Sequence, residues 1–468
     1  MKFTVLCVLA IYSLNSTAAF RQIWHAYKNS DTKEIRDLNS DSINEKFNFD
    51  KEFNNLSLEL GASYNRDSLQ RLNALSPNET IVNTYSAKLI KPTLSYGSFS
   101  IEHRHIDYDL SKWQPILRNN LDGNNQYDIR TIFGYSYDFL KDDLNVQNDL
   151  VRSDFEEKLT VAKLDQEKEY LDVFTRFIQA KLNLYQIRLS RESATKARKR
   201  MTLIKDRVQV GSSRKVDLYL AKSSYLTQTQ NVETAKKDLE ENMALLEFIL
   251  GKKIDNSLLE FITWNKVPDV YSKEAKKNLD LILLEKRLSL SKANLEQIKN
   301  DSDISLALNL QFETNAVQNS RSGAIDQNFS GNDNKTASVV LTIPLGMDRS
   351  SALKRRYELE KKLRAKQLEN KQGEVETQVK ALNKQIYFAQ NAFKDSRQIA
   401  ISLKLAMKET NKLYARGQSN FDEVIRREEN YINAKLSEKT TLANLELLIA
   451  NLAFVEGNIE PFLESYRD

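Results

Sequence analysis

The sequence predicts a mainly α-helical protein with a transmembrane β portion, built from a strand and long-helix hairpin unit that occurs twice. Three observations support this prediction: long stretches without helix-breaking residues, matched segments at a constant spacing, and segments of alternating polarity. The chain has only 12 glycines and 6 prolines among its 468 residues. No proline occurs between Pro115 and Pro268 or between Pro344 and Pro461. Helices much longer than the usual roughly 8–20 residues are therefore allowed.

The first 19 residues have the features of a secretory signal peptide. Lys2 supplies a positive charge, residues 3–14 are mostly apolar, and small residues up to Ala19 suit cleavage after that position. The alternative is a short membrane anchor, although the segment is shorter than the roughly 20 residues that span a bilayer. Cys7 is the only cysteine, so a mature chain that starts near Phe20 has neither a disulfide nor a cysteine metal site.

The overall composition excludes several classes of protein. With 28% charged and 41% hydrophobic residues, the chain is too polar for a bundle of membrane-spanning helices. The remainder is either soluble or enters a bilayer as β-structure. The net charge of +5 is small for this length, and no basic stripe with interleaved aromatic residues is present. Nucleic acid is therefore not expected as a partner.

Glycine-containing segments indicate an internal duplication. Gly211 and Gly417 each follow a long uninterrupted helical stretch and lie 206 residues apart (417 − 211 = 206). Gly251 and Gly457 show the same separation (457 − 251 = 206). The sequence thus predicts a first structural repeat at 20–251 and a second at 252–468, each with strands, a long helix, a glycine turn and another helix.

The segments that precede the long helices also correspond, but at a different spacing. Residues 56–60 match residues 304–308, which are 248 positions further on (304 − 56 = 248). The first repeat therefore carries 42 additional residues between its strands (248 − 206 = 42). These residues include two strand-like segments, 84–90 and 98–108. The pattern leaves open whether they extend the first hairpin outside the membrane or add strands.

The two long helices are predicted at residues 144–210 and 350–416, each about 100 Å long at ~1.5 Å per residue. Apolar residues in both alternate at spacings of four and three, which is typical of a coiled-coil seam. An ordinary helical bundle is the alternative. The clearest series comprises Val375, Val379, Leu382, Ile386, Ala389 and Phe393, and a second comprises Val173, Phe177, Ala180, Leu184 and Ile187.

Alternating segments of about ten residues, 56–65 and 304–313, have the pattern of transmembrane β-strands, with one apolar and one polar face. Their expected partners are 127–137 and 337–345, and a polar loop is expected between Phe312 and Ala337. Four strands cannot close a barrel, and lipid does not tolerate an open sheet edge. The sequence therefore predicts closure by several copies, into a β-barrel plus an α-helical barrel.

No catalytic, cofactor-binding or metal site is predicted. Glu59 and Glu313 alternate with apolar residues, and we expect them to face a lumen. His103 and His105 would share one strand face, but His25 is the only other histidine, which is too few for a convincing metal site. No nucleophile triad or phosphate-binding loop is present, and an enzyme is disfavoured.

The second glycine turn, residues 414–425, resembles the tip motif of TolC-type outer-membrane efflux proteins. Tyr414 is the aromatic residue three positions before Gly417, and Glu423 is the acidic residue six positions after it. In the first repeat Asp217 follows Gly211 at the same distance, with Val208 in the aromatic position. The segment 343–345 before the second long helix is also similar. The order of elements extends the resemblance over nearly all of the mature chain.

The resemblance implies a homotrimer in the outer membrane, with a twelve-stranded barrel and a large periplasmic helical portion. It implies an exit duct for a tripartite efflux or type I secretion system. The tip would dock onto a periplasmic adaptor that belongs to an inner-membrane transporter, and acidic residues would line the entrance. The implied docking residues are Gly211, Ser212, Gly417, Gln418 and Ser419. The implied entrance residues are Asp217, Glu423 and Arg426, of which Arg426 departs from the acidic pattern of the family.

Alternatives remain at this point. Asp217 and Glu423 could serve only as acidic first-turn residues that favour a helix N-terminus. A secreted structural coiled-coil protein without a pore would explain the heptads and the signal peptide, but not the alternating strands. A periplasmic adaptor would have one helical hairpin flanked by β-domains, which the duplication contradicts.

Overall fold

The computed structural model describes residues 19–51, 55–67, 79–93, 97–111, 125–254, 278–329, 332–343 and 347–466. The predicted signal peptide, except for Ala19, lies outside the described residues, as do Cys7 and residues 344–346. The chain divides into two compact units. Unit 1 comprises 1–42, 158–285 and 366–468, and unit 2 comprises 43–157 and 286–365. Each unit draws residues from both predicted repeats, so the repeat boundaries stay predictions.

The described elements follow one another in an order close to the predicted one. They are α1 (Ala19–Lys28), α2 (Asp31–Asp50), β1 (Ser57–Asp67), β2 (Thr80–Thr93), β3 (Gly97–Asp109), β4 (Asn125–Asp138), α3 (Asp143–Gln209), α4 (Lys215–Leu250), α5 (Leu279–Ser302), β5 (Ser305–Gln318), α6 (Arg321–Gln327), β6 (Asn332–Thr342), α7 (Met347–Ala415), α8 (Phe421–Val455) and α9 (Ile459–Ser465).

The two long helices confirm the prediction from glycine and proline spacing. Helix α3 has 67 residues and α7 has 69, with bounds within three residues of those predicted. Several of the predicted seam positions are buried. Phe177 is fully buried in α3, and Ile386 and Phe393 are each 4% exposed in α7. Among the described residues, no helix is both long enough and apolar enough to cross a bilayer.

The core of unit 1 gathers the seams of α3 and α7 with apolar residues of α1, α4, α8 and α9. Phe20, next to the predicted cleavage point, is 1% exposed. Its ring centroid lies 5.4 Å from that of Phe174 and 5.3 Å from that of Tyr466. Close aromatic pairs of this kind stabilise a core beyond simple area burial. The start of the predicted mature chain is therefore anchored against both a long helix and the C-terminal segment.

Unit 2 contains a six-stranded antiparallel sheet in which the strands are neighbours in chain order, from β1 to β6. The sequence-based count of four strands is therefore wrong. The expected pairing of the first strand with residues 127–137 is also wrong, because β1 pairs with β2 and β4 pairs with β3 and β5. The strand-like segments that the sequence left unplaced are β2 and β3, inserted between the two. The pairing of β5 with β6 is confirmed.

The register gives the sheet one apolar face and one polar face. In β5, Leu308 and Leu310 point to the side of Tyr137 and Tyr135, whereas Asn309 and Gln311 point to the opposite side. We call the first the apolar face and the second the polar face. The apolar face includes Leu58, Leu60, Tyr85, Leu89, Phe99, Ile101, Phe133, Tyr135, Leu310, Phe312, Val339 and Leu341. The polar face includes Glu59, Lys88, Glu102, Arg104, Asp128, Arg130, Asn309, Gln311 and Glu313.

Within the described residues, much of the polar loop predicted between Phe312 and Ala337 has regular structure. Strand β5 continues to Gln318, and the short helix α6 follows. Ala324 in this helix is fully buried, and the buried Asn328 amide lies 2.6 Å from Thr131 Oγ1 of β4. The connection therefore packs on one end of the apolar face, where Thr131 and Thr314 are buried.

Candidate functional site

The predicted site residues lie in unit 1, where each long helix turns into the next helix. We call residues 200–222 together with 412–428 the tip. Gly211 has φ +75° and Gly417 has φ +74°, the left-handed region that L-residues rarely adopt. The N–H of Gly417 donates to Tyr414 O and that of Gln418 to Leu413 O, at 3.0 and 2.9 Å. This paired pattern is a Schellman motif, which satisfies the last carbonyls of a helix.

The first turn repeats this geometry. Gly211 N donates to Val208 O at 3.1 Å, and Ser212 N donates to Arg207 O at 2.8 Å. A Cβ built on Gly211 or on Gly417 would meet no atom within 4 Å. Glycine is thus required at both turns by backbone conformation and not by crowding. Of the residues predicted to dock, Gly211, Ser212, Gly417 and Gln418 are exposed and Ser419 is half-buried.

A small apolar cluster holds the two turns side by side. It joins Ile204 and Ala221 of the first hairpin (α3 and α4) to Phe421 and Ile425 of the second (α7 and α8). Val208 and Tyr414, which correspond in the two predicted repeats, both pack against it. The aromatic position of the motif therefore has a structural role in the cluster, and valine fills it as well.

Asp217 is a capping residue in this structure. Its side chain is 12% exposed and lies 3.0 Å from Arg214 Nη2. Arg214 N also donates to Asp217 Oδ2 at 3.2 Å, so this carboxylate satisfies a backbone N–H at the start of α4. The side-chain hydrogen bonds from the Arg214 guanidinium to the Asp217 carboxylate raise the pKa of Arg214. Asp217 thus fits the first-turn alternative, because its charge is already paired.

Glu423 has a more open environment. Its backbone N–H donates to Asn420 Oδ1 at 2.8 Å, which caps α8, and its side chain is 43% exposed. Ser419 Oγ donates to Glu423 Oε2 at 3.1 Å, and Arg427 Nη2 lies 3.6 Å from Oε1. Both neighbours are themselves accessible to solvent, so the Glu423 carboxylate can be reached from outside the tip.

Arg426 does not pair with Glu423, although it follows that residue by three positions on α8. It forms an ion pair with Asp422. The two residues lie four positions apart on the exposed face of α8, which is an ordinary helical spacing for an ion pair. Arg427 is therefore the cation nearest to Glu423.

Sequence reasoning missed several residues that build the tip. Asn420 was detectable, because an Asn followed three residues later by a Glu is a known helix-start signal. Arg214 gave no signal, since arginine is not a usual N-cap residue. The ion pair between Arg200 and Glu428, which joins the two hairpins, also gave none, because the two residues are 228 positions apart in the chain.

Comparison with solved structures gives extensive matches at low sequence identity. The CmeC outer membrane channel of Campylobacter jejuni is 12% identical, with 94% of this chain and 86% of that chain covered at a TM-score of 0.66. The outer membrane protein VceC of Vibrio cholerae is 12% identical, with coverages of 94% and 98% and a TM-score of 0.64. The open-state MtrE outer membrane channel of Neisseria gonorrhoeae is 12% identical, with coverages of 95% and 90% and a TM-score of 0.65.

The chain has the outer-membrane channel fold. No protein-family model matches its sequence, and no curated protein matches it at a significant level. Because the identities are this low, the likeness is carried by the order and length of the elements and not by individual residues. The outer-membrane channel fold thus accounts for the long helices, the glycine turns and the antiparallel sheet of this chain together.

Proposed function

We propose that this chain is a homotrimeric outer-membrane duct of a tripartite efflux or type I secretion system. The observation that carries the proposal is the sheet of unit 2. It has one apolar and one polar face, and within the described residues β1 and β6 each have a partner on one side only. Open strand edges are not tolerated in lipid, so closure requires further copies of the chain. The fold shared with outer membrane channels supports the same conclusion.

In this proposal the apolar face contacts lipid and the polar face lines a water-filled lumen. Ion pairs on the polar face suit this environment, for example Arg130 Nη1 with Glu313 Oε1 at 3.2 Å. The duct is passive, and energy comes from an inner-membrane transporter. A secreted coiled-coil scaffold would require neither the two-faced sheet nor its unpaired edges.

The tip is the proposed docking site for a periplasmic adaptor. Its turns expose backbone and polar side chains at Gly211, Ser212, Gly417 and Gln418, with Ser419 half-buried beside them. The first turn is also flanked by exposed apolar side chains, namely Val210, Val216 and Tyr219, which are 78%, 59% and 67% exposed. Exposed apolar groups next to polar ones are common where proteins associate.

Glu423, with Asp217 and Arg426 nearby, is the proposed lining of the periplasmic entrance. Trimer symmetry would bring three copies of each residue around one axis. Asp217 contributes mainly by fixing the start of α4, because Arg214 neutralises it.

Planar-bilayer recording tests the duct directly. Purified protein reconstituted into a lipid bilayer is expected to give discrete, reproducible conductance steps, and cross-linking in outer-membrane extracts is expected to give a trimer. A protein that gives only monomers in the membrane and no steps contradicts the proposal and favours a scaffold without a pore.

A further inference from the structure

The β2–β3 hairpin departs from the four strands per chain that a twelve-stranded trimeric barrel requires. The hairpin is a full member of the sheet. Strand β2 has 14 residues and β3 has 13, compared with 11 in β1 and 14 in β4. Thirteen residue pairs join β2 to β3, and twelve join β3 to β4. A hairpin that merely extended beyond a four-stranded wall would leave β1 paired with β4, which the register excludes.

The hairpin also has the two-faced pattern of the other strands. On the apolar face its exposed side chains are Tyr85, Leu89, Phe99 and Ile101, which are 48%, 38%, 49% and 45% exposed in the single chain. On the polar face, Lys88 lies directly between Glu59 of β1 and Glu102 of β3. Opposite charges on adjacent strands stabilise a register. Both faces of the hairpin therefore match the faces of β1.

The position of the apolar stretch changes steadily from strand to strand. Leu60 lies at the centre of the aliphatic stretch of β1. Following the paired residues from strand to strand across the sheet leads from Leu60 to Asp333 of β6. The intervening residues of that row are Ala87, His103, Thr131 and Thr314. The aliphatic stretch of β6 is instead centred on Val339, six residues further along (339 − 333 = 6).

The apolar residues of the β2–β3 hairpin follow the same gradual shift from strand to strand. The apolar pair Phe99 and Ile101 of β3 is centred three residues from His103 (103 − 100 = 3), and Tyr135 is four residues from Thr131 (135 − 131 = 4). A displacement of six residues at ~3.3 Å each, over five strand-to-strand steps of ~4.8 Å, corresponds to a tilt of about 40°. Strands of transmembrane barrels are tilted by roughly 35–45°. With this tilt, the apolar stretches of all six strands lie at one level and form a continuous band. A flat bilayer can contact the whole band only if β2 and β3 belong to the barrel wall.

We propose that the β2–β3 hairpin crosses the outer membrane, so that each chain contributes six strands and three chains close an eighteen-stranded barrel. This inference rests on the trimeric duct proposed above. Barrel diameter grows roughly linearly with strand number, so the pore across the membrane is about one and a half times as wide as a twelve-stranded one. The exit then does not limit the size of the cargo, and the narrowest point lies elsewhere in the duct.

Single cysteines test the hairpin, because Cys7 is the only native cysteine and lies in the predicted signal peptide. Ile101→Cys reports the apolar face of β3 and Ser100→Cys its polar face. Leu310→Cys and Gln311→Cys are the matched pair on β5, a strand of the wall in either arrangement. Each variant is reconstituted in liposomes and treated with a water-soluble maleimide, and native mass spectrometry of the purified oligomer counts the chains.

The proposal predicts slow labelling of Ile101→Cys and Leu310→Cys, at least tenfold faster labelling of Ser100→Cys and Gln311→Cys, and a mass of three chains. Fast labelling at both β3 positions, with the contrast preserved on β5, places the hairpin outside the wall and overturns the inference while the duct stands. Loss of the contrast on β5 as well removes both proposals. A copy number other than three leaves the six-stranded contribution but overturns the eighteen-stranded barrel.

Discussion

Arg200 of α3 donates a hydrogen bond from Nη2 to Glu428 Oε2 of α8, and this ion pair joins the two hairpins next to the apolar cluster of the tip. The two side chains are only 18% and 12% exposed. Charges with so little contact with water are stable only when they are paired. The pair therefore fixes which residues of the first hairpin lie opposite which residues of the second.

Removing one member of this pair is expected to destabilise the folded chain strongly. Glu428→Gln leaves Arg200 with little solvent and without its ion-pair partner, and loss of one partner of a buried pair costs roughly 3–5 kcal/mol. The double change Arg200→Met with Glu428→Met should recover much of the loss. The measurement is thermal unfolding in detergent, followed by helical circular dichroism.

The exposed pair Glu409 and Lys412 provides the control, with side chains 58% and 64% exposed. Glu409→Gln should change stability by less than about 1 kcal/mol. Equal effects of Glu409→Gln and Glu428→Gln would mean that the inter-hairpin pair is solvated in solution.

Two glycines of α7 and its turn should respond in opposite directions to the same substitution. Neither Gly373 nor Gly417 would place a new Cβ within 4 Å of another atom. Gly373 lies within the helix, where alanine is favoured by roughly 0.5–1 kcal/mol. Gly417 has φ +74°, a conformation that costs an L-residue roughly 1–2 kcal/mol. Gly373→Ala should raise the unfolding temperature, and Gly417→Ala should lower it. Shifts of the same sign would contradict the left-handed turn.

The helical part of the fold was predictable because its signals are local. The absence of proline within α3 and α7, the absence of glycine within α3, the spacing of Val375 and Ile386, and the positions of Gly211 and Gly417 can be read within a few turns of helix. The strand count was not predictable in the same way. The alternation of residues 84–90 and 98–108 was visible, but strand order depends on pairing between distant residues, which alternation does not specify.

At the tip, too, the sequence predicts where a residue lies but not which side chain it contacts. The sequence correctly located Glu423 near a helix start, since the spacing from Gly417 is fixed by backbone geometry. It did not identify the partner. Arg426 and Arg427 lie three and four residues after Glu423, and both are within reach of it on a helix. Because Arg426 pairs with Asp422, Arg427 is left as the partner of Glu423.

The phase of β5 can be tested by arginine substitution. Leu310 lies on the apolar face between Tyr135 and Ala337, and the next residue, Gln311, lies on the polar face between Gly134 and Thr336. Arginine that faces lipid near the bilayer centre costs roughly 2–4 kcal/mol. Leu310→Arg should therefore reduce the amount of assembled trimer in the outer membrane, and Gln311→Arg should be tolerated. Similar yields of both variants would show that the two faces are assigned wrongly.

The last prediction concerns the charge at the periplasmic entrance. The Glu423 carboxylate is exposed, and its nearest cation, Arg427, stands at 3.6 Å with 42% of its side chain exposed. An exposed ion pair at this separation is weak, because water and salt screen the attraction between its two charges. Arg427 therefore cancels little of the Glu423 charge, and each copy keeps much of its negative field. Three copies around one axis concentrate cations and repel anions, as rings of acidic residues do in cation channels.

Glu423→Gln should therefore reduce the preference for cations and weaken block by polyvalent cations applied from the tip side. Assembly should be unaffected, because the cap of α8 is formed by Asn420 and the backbone N–H of Glu423, which remain. Reversal potentials in a salt gradient, and the block by a trivalent cation, are compared for the wild type, Glu423→Gln and Glu409→Gln. The last variant removes the same charge from the body of α7. If Glu423→Gln changes neither quantity more than Glu409→Gln does, Glu423 does not line the entrance, and its role is that of an acidic residue in the first turn of α8.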